Sequence, residues 1–309
     1  MPLDAPDELL FILAADHRVD ICTELLNSSP GQPSAADLER AANLKGIVFD
    51  GLTDAVEKGV PKSQAGLWTE SVIGEAALLR ARAMSLTTAA SIERTRIAEF
   101  QLEDALGFSE TLKRVAASYA AARVSYNPDG DMAANQSQRL QLKRVSEIAR
   151  SEGPRLIVEL NVIPNAEQAS AKQWERQLRP ALLVQAVREL QDSGIEPHVW
   201  AFEPPMDPTA AATVVAQAFL DDRRTTVLFT VGNDATMEPR SPVHDDVAWL
   251  AARTAGVSGL VIGPAAYYRY LASYVSGDVT RDSAVGSISE RFRRLCSLFN
   301  DARRTSNVT

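Results

Sequence analysis

Eight short apolar runs alternate with eight longer segments of helical periodicity, and this alternation constrains the fold more than any other feature of the chain. Near-continuous apolar runs are typical of parallel strands that are buried on both faces. The predicted strands are residues 9–15, 66–70, 84–89, 122–126, 155–162, 198–203, 225–231 and 259–263. The predicted helices are residues 38–59, 74–82, 110–120, 136–151, 167–193, 208–220, 245–255 and 284–300. Repeated β-α units of this kind predict an α/β protein, a closed (β/α)8 TIM barrel.

The chain length fits one barrel domain. Barrels of this class commonly use about 250 residues or more as one unit, so residues 1–309 are predicted to form a single domain. Residues 24–36 are predicted to form a polar loop and residues 303–309 a frayed tail, and we expect the fifth helix to be interrupted at Pro180. An open doubly wound sheet is the alternative, but no GxGxxG motif follows the first strand, which disfavours dinucleotide binding.

Composition and charge bear on the partners and the location of the protein. The formal net charge is −8, and no stripe of lysine and arginine is interleaved with aromatic residues, so we expect no nucleic acid partner. The first apolar run follows acidic residues, which favours a buried strand over a signal peptide, and no run reaches the length of a membrane span. The distant cysteines Cys22 and Cys296 fit reduced thiols and a cytoplasmic location. The sequence allows a homo-oligomer without identifying an interface.

In a (β/α)8 barrel, the active-site groups come from the carboxyl ends of the strands and from the loops that follow them. Carboxylates that lie close together raise one another's pKa or require a cation between them. Those at the predicted strand ends are therefore candidates for general acid/base groups, for ligands of a divalent metal ion, or for contacts to substrate hydroxyls. The alternative is a polar network in which Arg18 and Arg94 neutralise them. The predicted catalytic residues are Asp16, Glu70, Glu159 and Glu203.

A second set of residues near the strand ends is predicted to bind the substrate. His17 follows the first strand, where an imidazole serves as an acid/base group or phosphate ligand, or else orients the first loop. His198 begins the sixth strand at the opposite end of the barrel, so its predicted role is structural. The predicted substrate-binding residues are His17, Arg18, Arg94, Asn127 and Gly263.

Several segments of the chain resemble one known family. They are Asp16-His17-Arg18 after the first apolar run, 66–70 (Gly-Leu-Trp-Thr-Glu), 98–103 (Ala-Glu-Phe-Gln-Leu-Glu), 126–131 (Tyr-Asn-Pro-Asp-Gly-Asp), Glu159 within Ile-Val-Glu-Leu, and 194–203 (Gly-Ile-Glu-Pro-His-Val-Trp-Ala-Phe-Glu). Across nearly its whole length, the chain is similar to the aldolase-like C-terminal domain of bacterial 2-deoxy-5-ketogluconate-6-phosphate aldolase, which is related to tagatose-bisphosphate aldolase. The resemblance implies a (β/α)8 barrel of carbohydrate metabolism that cleaves a ketose phosphate through a lysine Schiff base.

The chain departs from that family at positions that bear on the reaction. Ala201 stands where the resemblance implies the strand-six lysine, and Ala121 or a close neighbour stands where a strand-four lysine is usual. Glu93-Arg94 replaces a Glu-Lys pair after strand three. Gly263-Pro264 replaces a Gly-Arg pair that looks suited to phosphate.

The chemistry of a retro-aldol step shows why these replacements matter. The step leaves a carbanion beside a carbonyl, and its charge must be held by a lysine iminium or by a divalent cation on the carbonyl oxygen. Arginine stays protonated and cannot replace the lysine as a nucleophile. The lysines all fall on predicted helices or loops: Lys45, Lys58, Lys62, Lys113, Lys143 and Lys172.

Three hypotheses remain open from the sequence. The first is an aldolase-like lyase or isomerase of a sugar or sugar phosphate that works without the Schiff base, either with a divalent cation as cofactor or by proton transfer through the carboxylates alone. The second is a catalytically inactive barrel that binds a ligand or a protein partner. The third is the recruitment of a lysine from a loop.

Overall fold

The computed structural model describes residues 8–16, 20–28, 33–94, 97, 99–103, 108–115, 117–151, 153–233 and 241–306. Eight parallel strands pair in chain order and close into a barrel. They are β1 (Leu10–Ala14), β2 (Ala65–Thr69), β3 (Thr87–Ser91), β4 (Tyr119–Ser125), β5 (Arg155–Asn161), β6 (Val199–Phe202), β7 (Thr226–Val231) and β8 (Val257–Ile262). The predicted single-domain (β/α)8 barrel is confirmed.

Helices surround this barrel. In the described part of the chain they are α1 (Asp20–Glu24), α2 (Ala35–Glu57), α3 (Glu75–Ala83), α4 (Phe108–Val115), α5 (Met132–Ser151), α6 (Ala166–Ala169), α7 (Arg179–Asp192), α8 (Pro208–Ala218), α9 (Pro242–Arg253), α10 (Tyr268–Val275) and α11 (Arg281–Ser306). Short 3-10 turns lie at Lys62–Gln64, Leu220–Asp222 and Pro264–Ala266, and a π-helical turn lies at Trp174–Leu178. Of the helices just given, none combines the length and the apolar character needed to cross a membrane.

The third and fourth strands differ from the predicted ranges. β3 begins three residues after the predicted start at 84, because Ser85 has a φ of 59° in the turn that ends α3. The fourth helix ends at Val115 rather than residue 120, and β4 begins at Tyr119 rather than residue 122. The alanines of β4 favour a helix by intrinsic propensity, but pairing with β3 and β5 and burial in the barrel override that preference.

The fifth helical segment is interrupted at residues 170–173, between α6 and the π-helical turn, and not at Pro180 as predicted. The π-helical turn ends at Leu178, and Pro180 lies in the first turn of α7. A proline is tolerated there because its missing N–H would have no partner within the helix. The long fifth helical segment of the sequence is thus divided into α6, the π-helical turn and α7.

The polar loop predicted at 24–36 is shorter in the structure, because α1 ends at Glu24 and α2 begins just after Ser34. The Ser34 side chain accepts a hydrogen bond from the Asp37 backbone N–H at 3.1 Å, and the Ser34 N–H donates to Oδ2 of Asp37 at 3.0 Å. This capping box fixes the start of α2. Residues 29–32 of the predicted loop lie outside the described residues.

The frayed tail predicted at 303–309 is wrong for residues 303–306, which extend α11. Phe299 is fully buried, and Arg303 donates from Nη1 to the Val257 carbonyl at 2.9 Å. These contacts fasten the last turns of α11 to the start of β8. Residues 307–309 lie outside the described residues.

Alternate side chains of the strands fill the interior of the barrel. They form a packed core rather than a channel, as in other barrels of this class. These buried residues are Leu10, Ile12, Ala14, Trp68, Ala89, Tyr119, Ala121, Ile157, Val199, Ala201, Leu228 and Val261. A larger apolar layer lies between the outer faces of the strands and the helices. A ligand of the barrel therefore has space only at the mouth, beyond this interior layer.

A glycine lies where β8 closes the barrel against β1. Gly259 pairs with Leu10 and has a φ of +152°. A Cβ atom at this position would lie 1.9 Å from the Leu10 carbonyl oxygen. The close approach of these two strands therefore requires a residue without a side chain.

His198 lies at the amino end of β6, away from the mouth. Its ring Nδ1 accepts a hydrogen bond from the Leu156 backbone N–H at 3.1 Å, and the backbone N–H of His198 donates to the Leu156 carbonyl at 2.9 Å. Burial lowers the pKa of His198 below its ordinary value of 6.5, and Arg155 and Arg150 lower it further. The folded state therefore favours the neutral form of the His198 ring.

We expect the free energy of unfolding to decrease as the pH falls below about 6.5, because the unfolded chain then binds a proton on His198 before the folded chain does. The stability is fully present above that pH and is lost toward the lower pKa of the folded state. Urea unfolding between about pH 8 and pH 5 should show this loss in the wild type and a smaller loss in His198→Gln. Parallel curves for the two proteins would contradict the assignment.

Candidate active site

A guanidinium connects three strand ends at the mouth of the barrel. Arg123 on β4 donates from Nη1 to both carboxylate oxygens of Asp16, at 3.2 and 3.0 Å, and from Nη2 to Oε2 of Glu159 at 3.1 Å. The Arg123 side chain is 35% exposed, whereas the two carboxylates are almost entirely buried. The structure therefore brings two of the four predicted carboxylates together around a cation that the predicted set does not contain.

Arg123 keeps its charge in this setting. Burial alone would lower the pKa of Arg123, but the carboxylates of Asp16 and Glu159 outweigh burial and raise the pKa well above its ordinary value. The guanidinium carbon lies 5.4 Å from the centre of the Trp68 ring, within the range of a cation–π contact. Trp68 Nε1 donates to Ser91 Oγ at 2.8 Å, and Ser91 Oγ donates to Oδ2 of Asp16 at 3.5 Å. Trp68 thus packs as a buried wall beside the cation.

Two asparagines hold the other oxygen of Glu159. Asn161 Nδ2 and Asn233 Nδ2 donate to Oε1 at 3.3 and 3.1 Å. Asn233 Nδ2 also lies 3.2 Å from Thr230 Oγ1 on β7. Because a carboxylate oxygen can only accept here, it fixes which end of each amide faces it. Glu159 is therefore an anchor that orients Arg123 and both amides.

Ala201 lies in the same layer as these groups. In the strand register, Arg123 is paired with Glu159, and Glu159 is paired with Ala201. Ala201 is fully buried in the interior layer, where its methyl group offers no nucleophile. Ala121 is also buried, two residues deeper on β4, so Arg123 is the first side chain of that strand beyond the interior layer. All six lysines are described by the structure, and none lies on a strand, as predicted.

One of these lysines is buried beside a predicted catalytic residue. Lys45 on α2 is 2% exposed, and its Nζ contacts the Ala15 carbonyl, lies 3.4 Å from Thr69 Oγ1 and lies 3.5 Å from Oε1 of Glu70. The other oxygen of Glu70 accepts hydrogen bonds from the backbone N–H groups of residues 72 and 73, at 2.7 and 2.9 Å. Glu70 therefore organises the loop after β2 and pairs with Lys45, and the described contacts do not include it in the Arg123 network.

The remaining described candidates lie apart from that network. Glu203 has an exposed side chain, and its backbone carbonyl accepts from Arg179 Nη1 at 3.1 Å. Arg94 is exposed in a short antiparallel bridge between residues 93 and 102. Asn127 donates to the Ile163 carbonyl at 2.8 Å and to Gln168 Oε1 at 2.6 Å, so it ties together the loops after β4 and β5. His17 and Arg18 lie outside the described residues.

Gly263, a predicted substrate-binding residue, makes room for Asn233. A Cβ atom on Gly263 would lie 2.7 Å from Asn233 Oδ1 and 2.7 Å from the Gly232 carbonyl oxygen. The contact with Gly232 is to rigid backbone, so an alanine would force the end of β8 to move. The glycine thus allows the Asn233 amide to reach Glu159.

We expect Gly263→Ala to lower the free energy of unfolding by about 1–3 kcal/mol, the usual cost of overpacking a close contact. Gly46→Ala is the matched control, because a Cβ atom on Gly46 in α2 meets no atom within 4 Å. That control should leave stability unchanged or raise it, since alanine favours a helix. Urea unfolding of both variants measures the difference, and equal stabilities would contradict the role of Gly263.

Arg123, the central residue of this site, could have been predicted from one feature of the sequence. β4 reads Tyr-Ala-Ala-Ala-Arg-Val-Ser, and a period of two from the buried Ala121 points Arg123 into the barrel. A charged residue inside an otherwise apolar strand requires a partner. Asn161 and Asn233 carry a weaker signal, because polar residues at strand ends are common. Asp234, beside Asn233, lies outside the described residues.

The described residues do not fit a divalent cation. Among them, no three histidine, cysteine, aspartate or glutamate side chains are grouped as a metal site requires. Asp16 and Glu159 instead face a guanidinium, whose charge already occupies the space between them.

Solved structures share this barrel at low sequence identity. An archaeal fructose-1,6-bisphosphate aldolase, with its catalytic lysine bound to the carbinolamine intermediate, is 13% identical over 92% of this chain and 94% of its own, with a TM-score of 0.55. A second archaeal fructose 1,6-bisphosphate aldolase is 15% identical over 87% and 94%, with a TM-score of 0.51. A fructose-bisphosphate aldolase from Slackia heliotrinireducens is 13% identical over 91% and 86%, with a TM-score of 0.55. At these identities the likeness concerns the fold.

Comparison with curated proteins gives no match. A family model, by contrast, covers nearly the whole chain, from residue 4 to residue 303. It describes uncharacterized proteins conserved in bacteria, and the chain therefore belongs to this family, DUF2090.

Proposed function

We propose that the protein is an aldolase-like lyase or isomerase of a sugar or sugar phosphate, and that it works without a lysine Schiff base. The observation that carries the proposal is the layer formed by Arg123, Glu159 and Ala201. It combines a cation, two carboxylates and amide donors at the mouth of an aldolase-like barrel, with an alanine on β6 and no lysine on any strand.

A fixed guanidinium is a third group, besides a lysine iminium and a divalent cation, that can hold the charge of a carbon–carbon cleavage, and we assign this role to Arg123. When the bond breaks, the electron pair moves onto the carbonyl oxygen of the substrate, and an N–H donor of a fixed cation stabilises the resulting enolate. The guanidinium is partly exposed, so the N–H bonds that do not point at the two carboxylates can face the substrate. Arginine does so without becoming a nucleophile, since it remains protonated.

Asp16 is the group assigned to proton transfer. Its carboxylate lies at the end of β1 and contacts Arg123, so a hydroxyl proton of the substrate and the carbonyl oxygen would both be within reach of this pair. Asp16 accepts the hydroxyl proton as the carbon–carbon bond breaks, and the same proton returns to the enolate carbon of the product. Glu159 acts through Arg123 as a positioning residue. Glu203 is assigned no step.

The finer relationship to 2-deoxy-5-ketogluconate-6-phosphate aldolase is part of this proposal. It is supported by the strand-end segments shared with that family and by the aldolase neighbours of the fold. The covalent mechanism named for the first archaeal neighbour is not carried over, because Ala201 offers no amine.

The test combines trapping with turnover. The wild-type protein is incubated with ketoses and ketose phosphates, product formation is followed by mass spectrometry, and a parallel sample receives sodium borohydride. We expect cleavage or isomerisation of at least one compound with no mass added to the protein. An adduct on one of the six lysines would overturn the Schiff-base-free mechanism and support recruitment of that lysine.

The role of Glu159 has its own expected result. Glu159→Gln should reduce turnover by about 100-fold or more, because the amide cannot pair with the Arg123 cation that holds the enolate oxygen. Glu147→Gln on α5 is the matched control, since that carboxylate is exposed on a surface helix. Unchanged turnover in Glu159→Gln, with the variant folded by circular dichroism, would contradict the assigned role.

A specific observation also supports the second hypothesis, a catalytically inactive barrel that binds a ligand or partner. Arg123 is already bridged by two carboxylates, as in a purely structural network, and Ala201 removes the nucleophile. This reading expects thermal stabilisation by a ligand without any product. Turnover of any bound sugar by the purified protein would rule it out.

A further inference from the structure

We infer that Tyr267 is a positioning residue of the site, which fixes the end of β1 and thereby holds the Asp16 carboxylate against Arg123. The inference rests on the proposed function, because it concerns the proton transfer that is assigned to Asp16. It comes from how the last two carbonyl groups before Asp16 obtain their hydrogen-bond donors.

The first of these carbonyl groups belongs to Ala14 and faces β8. The strand register pairs Leu13 with Ile262. Continuing that register by one residue makes the backbone of residue 264 the next donor to the Ala14 carbonyl. Residue 264 is a proline, which has no N–H. The hydrogen-bond ladder between β1 and β8 therefore lacks its last bond.

Tyr267 supplies the missing donor. Its hydroxyl donates to the Ala14 carbonyl at 3.0 Å, and its side chain is fully buried. Its backbone is fixed as well, since its N–H donates to the Pro264 carbonyl and its carbonyl accepts from the Leu271 N–H, both at 3.0 Å. The Gly263-Pro264 pair and Tyr267 are thus linked, because the phenol replaces the backbone bond that the proline removes.

The second carbonyl group belongs to Ala15 and faces β2. The Ala15 N–H donates to the Trp68 carbonyl at 2.7 Å, which continues the ladder between β1 and β2. Thr69 Oγ1 donates to the Ala15 carbonyl at 2.9 Å, and Lys45 Nζ also contacts that carbonyl. Both peptide groups that precede Asp16 are therefore held by buried side chains, which come from different elements of the barrel.

The phenol of Tyr267 also interacts with the charges of the site. Burial raises the pKa of Tyr267 well above its ordinary value, the Asp16 carboxylate raises it further, and the Arg123 cation lowers it. The phenol therefore keeps its proton and remains a hydrogen-bond donor. It does not act as a base, and positioning is the role that its contacts support.

The position of β1 matters because Asp16 meets Arg123 through both of its carboxylate oxygens, at 3.2 and 3.0 Å. A movement of the strand end by about 1 Å would break this contact, and a misplacement of that size can cost about 100-fold in rate. Tyr267 thus acts on the reaction through the backbone of Ala14 and through Asp16.

The test compares Tyr267→Phe with Tyr119→Phe. Phenylalanine keeps the packing of the ring and removes only the hydroxyl, so the Ala14 carbonyl loses its donor. Tyr119 is the matched control, because it is also buried but begins β4 at the opposite end of the barrel. The substrates are D-fructose, D-tagatose and their 1,6-bisphosphates, and circular dichroism verifies that each variant is folded.

We expect Tyr267→Phe to lower kcat by about tenfold or more while KM stays within about twofold, because the ground-state contacts of the substrate remain. Thr69→Val removes a donor on the other side of β1 and should lower kcat in the same way. Tyr119→Phe should keep both constants. An unchanged kcat in Tyr267→Phe, or an equal loss in Tyr119→Phe, would overturn the inference.

A second measurement does not require turnover. The carboxyl ¹³C signal of Asp16, assigned with the Asp16→Asn variant, reports on the surroundings of that carboxylate in the folded protein. Tyr267→Phe should displace this signal, and Tyr119→Phe should not. If the signal moves but the wild type turns over none of the sugars, the proposed function fails and the hold of Tyr267 on Asp16 stands. If the signal does not move, the inference fails whatever the turnover.

Discussion

Replacing Gly259 with alanine should lower the free energy of unfolding by about 4 kcal/mol or more, among the largest effects of a single substitution. The new Cβ atom would lie 1.9 Å from the Leu10 carbonyl oxygen, and the backbone φ of +152° is one that alanine rarely adopts. Neither strand can move aside freely, because Leu10 and Gly259 are paired where β1 and β8 close the barrel. Urea unfolding followed by circular dichroism measures the loss.

Gly286→Ala is the control for this experiment. Gly286 lies in α11, and a Cβ atom there meets no atom within 4 Å. Alanine should stabilise the helix by up to about 1 kcal/mol relative to glycine. If Gly259→Ala unfolds at the same urea concentration as the wild type, the strands do not close through the contact described above.

The second large effect is expected for Lys45→Met, which should destabilise the protein by about 3–5 kcal/mol. Methionine fills most of the volume of the lysine side chain, but it removes the cation and leaves Glu70 buried without its ion-pair partner. The Ala15 carbonyl and Thr69 also lose a donor. Chemical unfolding at neutral pH gives the magnitude.

Two comparisons identify the ion pair as the cause. Lys58→Met removes an exposed pair with Asp54 and should cost no more than about 1 kcal/mol. Lys45→Met combined with Glu70→Gln should recover part of the loss, because the second change removes the buried charge that the first leaves behind. A double variant that is less stable by the sum of the two single losses would contradict a direct coupling.

The barrel was predictable because its signal is repeated. Eight apolar runs separated by amphipathic segments leave few architectures, and errors in individual runs do not alter the conclusion. The bounds of β3 and β4 were less predictable. Alanine-rich segments such as 120–122 fit a helix as well as a strand, and only pairing with neighbouring strands decides between them.

The site could be predicted only in part, because some of its contacts join residues that are far apart in the sequence. Asp16 and Glu159 could be assigned to the mouth because Asp16 follows the first apolar run and Glu159 lies in the second half of the fifth. Glu70 occupies a similar position, but its partner Lys45 lies 25 residues away on a helix, and no local pattern shows that contact. The role of Arg123 could not be predicted although its strand could, because its partners come from β1 and β5.

The packed interior has a consequence for redesign. Ala201 lies beside Glu159 in a layer with Trp68 buried alongside, so a lysine placed at 201 would enter a dry compartment close to a fixed carboxylate and a guanidinium. Burial and the Arg123 cation would favour the neutral amine, which is the form that attacks carbonyls, whereas the Glu159 carboxylate would favour the charged one. Ala201→Lys would therefore test whether one substitution converts a barrel that stabilises the enolate with a fixed cation into one that forms a lysine Schiff base.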